Sequence, residues 1–178
     1  MKEIQLTKGQ VALVDDEDYE RINKYKWLAK YDKKMNSYYA TRTNYLRENG
    51  KLKKENVVMT RFIMNVNDSK IQIDHIVSGD TLNNQKFNLR AATPSQNQQN
   101  QRKQRRQKSS KYKGVNWQKR DKKWVSKINF NKTRINLGYF PATEEGEIAA
   151  AAAKAYDKKA IELFGEFALL NFPKENYI

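Results

Sequence analysis

Apolar and polar positions alternate in short stretches through the first part of the chain, the pattern of half-buried strands. Gln10 to Val14, Trp27 to Tyr31 and Ser37 to Thr43 carry it, the last two as a hairpin of aromatic and β-branched residues, and Val57 to Met64 is a further apolar stretch. Asp15 to Asp18 offer acceptors that would cap a short helix over Tyr19 to Lys24. Between residues 71 and 100, Gln72 to His75 end a strand, Ser78-Gly79-Asp80 make a turn and Leu89 to Thr93 form a second strand. Pro94 then fits the first turn of a helix capped by Thr93, which carries Asn97 and Asn100.

Residues 101–110 contain no apolar side chain, so this run is a linker or a helix lying on a partner. From Lys111 onward three strands are expected at Tyr112 to Trp117, Lys123 to Phe130 and Thr133 to Phe140, with turns at Arg120-Asp121-Lys122 and Asn131-Lys132. Thr143 would cap a following helix with Glu144, Glu145 and Glu147 in its first turn, its alanines allowing close approach to a sheet and Gly165 stopping it. Trp124, Phe140, Tyr156, Phe164, Phe167 and Phe172 are expected in the core, whereas Trp117 fits either core or surface. The fold class is α+β: a β-rich region and a compact unit within residues 1–100, a basic linker at 101–110, and a sheet-and-helix unit at 111–173.

Charge changes the picture. Residues 101–134 hold fourteen basic side chains and one acidic one, out of 35 and 20 in the whole chain. Such a cluster repels itself unless a polyanion neutralises it, which points to nucleic acid. A membrane partner fits poorly, because the basic residues alternate with Gln, Ser, Tyr, Trp and Gly rather than facing a bulky apolar stripe. With no cysteine, disulfides and thiolate zinc sites are excluded, and a reducing cytoplasm is the expected setting.

His75, the only histidine, follows Asp74 and precedes a series of carboxamides. A neutral imidazole takes a proton from water near pH 7, which makes His75 a candidate general base against a phosphodiester. Asp74 is an anionic ligand for a hard cation such as Mg²⁺ or Mn²⁺, and Asn97 offers a neutral carbonyl oxygen. One divalent metal with few protein ligands, and no small-molecule cofactor, is the expectation.

The residues Ile73-Asp74-His75-Ile76, Gly79-Asp80, Leu82-Asn83-Asn84, Asn88-Leu89-Arg90, Ala92-Thr93, Gln96-Asn97 and Asn100 resemble the HNH nucleases, in particular phage and intron homing endonucleases. The resemblance covers residues 57–100 closely, and more loosely Ala12-Leu13-Val14-Asp15 and Tyr25-Lys26-Trp27. It implies a ββα-metal fold with His75 as general base, Asp74 and Asn97 as metal ligands, and Asn88 tethering the loop that holds the histidine. Thr60 and Val77-Ser78 depart from the family pattern without touching these positions.

Downstream, Lys111-Tyr112-Lys113-Gly114-Val115, Trp124-Val125, Asn136-Leu137-Gly138-Tyr139-Phe140, Ala155-Tyr156-Asp157 and Phe167 to Pro173 look like the Apetala-2/ethylene-response-factor DNA-binding domain. That family lays a three-stranded sheet in the major groove, which here would turn Lys113, Asn116, Gln118, Lys127, Asn129, Arg134 and Asn136 toward the bases. Lys119, Arg120, Lys122, Lys123 and Lys132 would hold phosphates, as would Arg102, Arg105 and Arg106 of the basic linker. Asn and Gln suit adenine where Arg suits guanine, so the target is not that of the plant factors. The combined reading is a site-specific, homing-type endonuclease on double-stranded DNA, with one site per chain favouring a monomer. The alternative is a non-cleaving DNA-binding regulator on the same scaffold. An RNA partner fits less well, because such a sheet does not enter A-form RNA.

Overall fold

The computed structural model describes residues 1–103, 109–141 and 145–177, without the side chains of 145–148. The chain divides into two compact units, Met1–Gln98 and Gln99–Ile178. Among the described residues no helix is long and apolar enough to cross a membrane. The architecture is mixed α and β, built from small antiparallel sheets and few helices.

In the first unit β1 (Lys2–Gln5) pairs with β2 (Val11–Val14), and α1 (Asp16–Asn23) follows. Next come β3 (Leu28–Asp32), β4 (Ser37–Glu48) and β5 (Lys51–Val58), in that order in one antiparallel sheet. The apolar stretch at 57–64 divides, ending β5 and then forming α2 (Met59–Ile63). β6 (Gln72–His75) and β7 (Leu89–Ala92) make a two-stranded sheet, and α3 (Pro94–Gln99) leaves it. Ile4, Val14, Ile22, Trp27, Met59 and Leu89 form the core. Burying each such side chain contributes about 1.5–3 kcal/mol. Trp27 anchors the core, and its indole N–H donates to the Ile22 carbonyl at 3.0 Å.

Asp15 does precede α1, yet its side chain makes no cap. Its carboxylate instead accepts from Gln85 Nε2 at 2.9 Å and the Lys86 amide at 2.8 Å, which also lowers its pKa against the opposing effect of burial. Two charge-assisted bonds to a distant segment outcompete one local cap. They help fasten the segment after His75 to β2, as do Leu13 N to Leu82 O (2.9 Å) and Asn84 N to Leu13 O (2.8 Å).

In the second unit β8 (Val115–Gln118), β9 (Lys123–Phe130) and β10 (Thr133–Pro141) form an antiparallel sheet with β9 in the centre. α4 (Glu145–Phe164) packs on one face. Ala152, Ala153 and Ala160 are fully buried on that helix, so its backbone approaches the sheet closely. Trp124, Ile128, Tyr156, Phe164 and Phe167 are buried, and Phe140 and Phe172 pack against them. Trp117 sits edge-on to Trp124 with ring centroids 5.1 Å apart, which places it against the core. Gly165, at φ 54°, follows the last residue of α4 as expected. The Thr143 cap and its Glu144 neighbour lie outside the described residues.

Asp157 is the polar centre of this unit. Fully buried on α4, its carboxylate accepts from the Asn171 amide (2.9 Å), the Asn171 side chain (2.9 Å), the Phe172 amide (3.0 Å) and the Tyr177 hydroxyl (2.7 Å). Asn171 in turn brackets the Lys113 backbone, Oδ1 accepting from its amide at 2.6 Å and Nδ2 donating to its carbonyl at 3.1 Å. Asp157→Ala would strand two backbone amides away from water, so a loss of at least about 3 kcal/mol is expected. Urea unfolding checks this, and a change below about 1 kcal/mol would show that the carboxylate is not the clasp.

Candidate active site

The pairing of β6 with β7 sets Asp74 opposite Arg90 and His75 opposite Leu89. α3 begins with a reciprocal cap of the Thr-x-x-Gln type. Thr93 Oγ1 accepts from the Gln96 amide at 3.3 Å, and Gln96 Oε1 accepts from the Thr93 amide at 2.8 Å. This fixes the helix entry, and Asn97, in the same turn, reaches back to β6, its Nδ2 donating to Gln72 Oε1 at 2.5 Å. Alternate strand residues share a face, so Gln72 and Asp74 go together and Asn97 comes to the Asp74 side of the hairpin.

The Asp74 carboxylate is buried and accepts from Arg90 Nε (3.0 Å) and Nη2 (2.9 Å), both on Oδ2. Arg90 thereby sets a guanidinium against the buried carboxylate, an ion pair of two nearly dry groups.

His75, also buried, goes with a different set of neighbours. Its Nε2 lies 3.2 Å from Asn84 Oδ1. Asn84 is 1% exposed, and its Nδ2 donates to the Leu82 carbonyl at 3.3 Å and to Met59 Sδ at 3.4 Å. The oxygen therefore faces the imidazole. A carboxamide oxygen only accepts, so Nε2 carries the proton and the basic lone pair of the neutral ring is on Nδ1. Burial pushes the imidazole pKa down, and the Asn84 bond, Asp74 and Asp80 only partly oppose it, so the neutral form prevails at pH 7. The Tyr39 ring stands beside it, centroids 6.3 Å apart.

Asn88, fully buried, closes the loop that follows. Its Oδ1 accepts from the Val77 amide at 2.9 Å, and its Nδ2 donates to the Asp80 (3.3 Å) and Asn83 (2.9 Å) carbonyls. It touches the loop backbone rather than the imidazole, so its geometry is that of a positioning residue.

Among the described residues no three His, Asp or Glu side chains gather at one point. The oxygen donors present are the Asp74 carboxylate and the Asn97 carboxamide, whose oxygen turns away from Gln72 because its nitrogen is held there. Two hard oxygens on one face fit a cation of the Mg²⁺ or Mn²⁺ type, which keeps several waters and accepts oxygen ligands from a substrate. Asp74 and Asn97 thus share one face of the hairpin, and the neutral His75 imidazole, on the next residue along β6, turns to Asn84 and Tyr39.

In the second unit the sheet face away from α4 carries the residues expected to meet DNA. The registers Asn129 to Arg134, Lys127 to Asn136 and Gln118 to Lys123 set these side chains opposite one another across the three strands. Asn116, Gln118, Lys127, Asn129 and Arg134 line one open concavity of about 550 Å³. Asn116, Asn129, Arg134 and Asn136 are exposed, and Lys119, Arg120, Lys122, Lys123 and Lys132 stand exposed around them. Arg134 Nε donates to Asn129 Oδ1 at 3.3 Å, and Asn136 Oδ1 accepts from the Gly138 amide at 3.3 Å across a bulge in β10. Lys113 differs from the others: its ammonium donates to the Gln99 carbonyl, and burial brings its pKa down to about 8. Arg102 is exposed, whereas Arg105 and Arg106 lie outside the described residues.

Three residues with parts in the site carried no assigned role in the sequence: Asn84, Gln72 and Arg90. Asn84 and Arg90 stood inside the quoted motifs, but only the hairpin register brings Arg90 to Asp74, and only the folded loop brings Asn84 under His75.

A curated relative, an uncharacterized HNH endonuclease of Acanthamoeba polyphaga mimivirus, is 31% identical over 164 residues, spanning 92% of this chain and 76% of its own length. No protein-family model matches the chain. No solved structure matches it either.

Proposed function

The chain belongs to the HNH endonuclease family, and from that premise we propose a site-specific DNA endonuclease of the homing type, its first unit cutting and its second reading the target. The observation that carries the cutting role is the neutral His75 imidazole, held by Asn84 with its lone pair on Nδ1, next to Asp74.

In this mechanism His75 Nδ1 takes a proton from a water whose oxygen bonds to phosphorus. The bond from phosphorus to the 3′ oxygen breaks, and that oxygen takes a proton from solvent water, leaving a 3′-hydroxyl and a 5′-phosphate. A divalent cation held by Asp74 and Asn97 would supply charge neutralisation for the phosphoryl and departing oxygens. Arg90 orients the Asp74 carboxylate through Oδ2 for that ligand role, and Asn88 holds the loop that fixes Asn84. The order strand, strand and helix in β6, β7 and α3 supports reading this unit as a ββα-metal module.

The reader is an Apetala-2/ethylene-response-factor-like module. Three antiparallel strands backed by one helix, with carboxamides and Arg134 on the open face, support it. The basic segment before it adds phosphate contacts at Arg102, Arg105 and Arg106. Two footholds raise the effective concentration of the nuclease at a long site.

The Asp74–Arg90 ion pair gives the rival reading its footing, because a carboxylate spent on a buried pair also suits a non-cleaving regulator. Supercoiled plasmid incubated with Mg²⁺ or Mn²⁺ separates the two. Nicked or linear product that disappears with EDTA is expected. Intact plasmid at protein concentrations that shift DNA in a gel would leave the regulator.

A further inference from the structure

Away from His75, the first unit gathers three guanidinium groups around one cavity of about 420 Å³, those of Arg21, Arg42 and Arg61. Glu55 is the sole acid among its described lining residues. Each arginine is fixed by separate contacts. Arg42 lies over the Tyr25 ring at 3.9 Å, with Phe62 and Trp27 at 5.3 and 5.5 Å, and donates from Nη1 to Asn44 Oδ1. Arg21 donates to the Phe62 carbonyl at 3.0 Å and the Ile63 carbonyl at 3.2 Å, and pairs with Asp18. Arg61 donates to the carbonyls of Ile71 (2.6 Å) and Asp68 (2.9 Å).

Like charges do not gather without cause. The contacts that hold these forks are mostly neutral carbonyls and aromatic faces, which orient a guanidinium without cancelling its charge. A rigid, under-neutralised group of this kind is organised in advance for an anion, because little rotamer entropy is left to lose. A carboxylate has two coplanar oxygens, fewer than three separately oriented forks can use, whereas a tetrahedral phosphate offers oxygens in several directions.

We propose that Arg21, Arg42 and Arg61 form a phosphate seat that takes one backbone phosphate of the bound duplex. As a DNA contact it rests on the nuclease reading; as a phosphate site it does not. The seat fixes register in the cutting unit itself, independently of the second unit's sheet, and reads no bases.

Two rim substitutions with opposite expected signs test it without disturbing the arginine stack. Glu55→Gln removes the one acid among the described lining residues and should tighten a mixed-sequence 30-mer duplex about three- to tenfold at low salt. Asn67→Glu adds a carboxylate at an exposed rim position, and should weaken binding by a similar factor and cut the slope of log K on log salt by about one. Misfolding does not produce opposite signs, and melting temperatures in chloride should match wild type. A parallel arm adds inorganic phosphate in place of chloride at constant ionic strength. Unchanged DNA affinities, with a phosphate-dependent rise in wild-type melting temperature that Asn67→Glu abolishes, would assign the seat to free phosphate. Failure of both arms overturns it. If wild type binds no duplex at all, the nuclease reading falls, and the phosphate arm alone decides the seat.

Discussion

His75→Ala is expected to slow plasmid cleavage by at least about 100-fold, while affinity for the same DNA changes less than about twofold. A hundredfold loss corresponds to about 2.7 kcal/mol of transition-state stabilisation, within the span that a positioned general base supplies. The separation of rate from affinity is what matters. His75 is buried, hydrogen-bonded to Asn84 and packed beside Tyr39. Alanine therefore also opens a cavity, and a purely structural histidine would lose folding stability, binding and rate together. His75→Asn restores part of the bulk and a polar contact to Asn84 without a basic lone pair, so it should recover stability and not rate. Recovery of both would remove the histidine from the chemistry. Gel shift in the presence of Ca²⁺, single-turnover cleavage with Mg²⁺ and a urea melt, run on all three proteins, read the three quantities separately.

The elements of the two units were not equally visible in the sequence. Thr93, Pro94 and Gln96 announce a helix start through local chemistry, and α3 begins there. β9 was legible to the residue at Lys123–Phe130, because its apolar positions alternate and turns bound it on both sides. β5 was illegible: Lys51 to Asn56 are exposed and, but for Leu52, polar, and the strand exists because β4 pairs with it along its full length. Pairing partners are a tertiary property that local propensity does not carry.

The same division runs through the functional residues. Asp74, His75 and Asn97 were picked out because their side chains have chemistry that few other residue types supply. Asn84, Gln72 and Arg90 act by holding those groups, and a holding residue is defined by where its neighbour ends up. Asp15 makes the point in reverse: its sequence setting suits a helix cap, yet its carboxylate serves Gln85 and Lys86, some seventy positions away. Short polar side chains before a helix are therefore weak evidence of capping wherever a long-range donor offers a charge-assisted bond.

In the second unit the largest effect is expected from one methyl group. Gly114 has φ +78°, and a Cβ built there would lie 1.9 Å from Tyr156 Cδ2 and 2.5 Å from Cε2. Neither side can yield easily. The Tyr156 ring is buried with Ile128, Ala160 and Phe164, and the next residue, Asp157, is tied to Asn171 and Phe172. On the other side, Lys113 is held through its amide and carbonyl by that same Asn171. Gly114→Ala is therefore expected to cost at least about 3 kcal/mol, the scale of a severe overpacking defect. Gly165→Ala is the control, since Gly165 is also left-handed, at φ +54°, but has nothing within 4 Å of its added Cβ. It should cost only the conformational strain, about 1 kcal/mol. Because the two substitutions share the strain and differ in space, their difference in urea midpoint isolates the contact with Tyr156. If the second unit is the reader, the Gly114 variant should also lose its preference for the target duplex while keeping metal-dependent nicking of plasmid. Equal melting behaviour of the two variants would mean that the Tyr156 ring moves aside, and that the turn before β8 is not pinned as described.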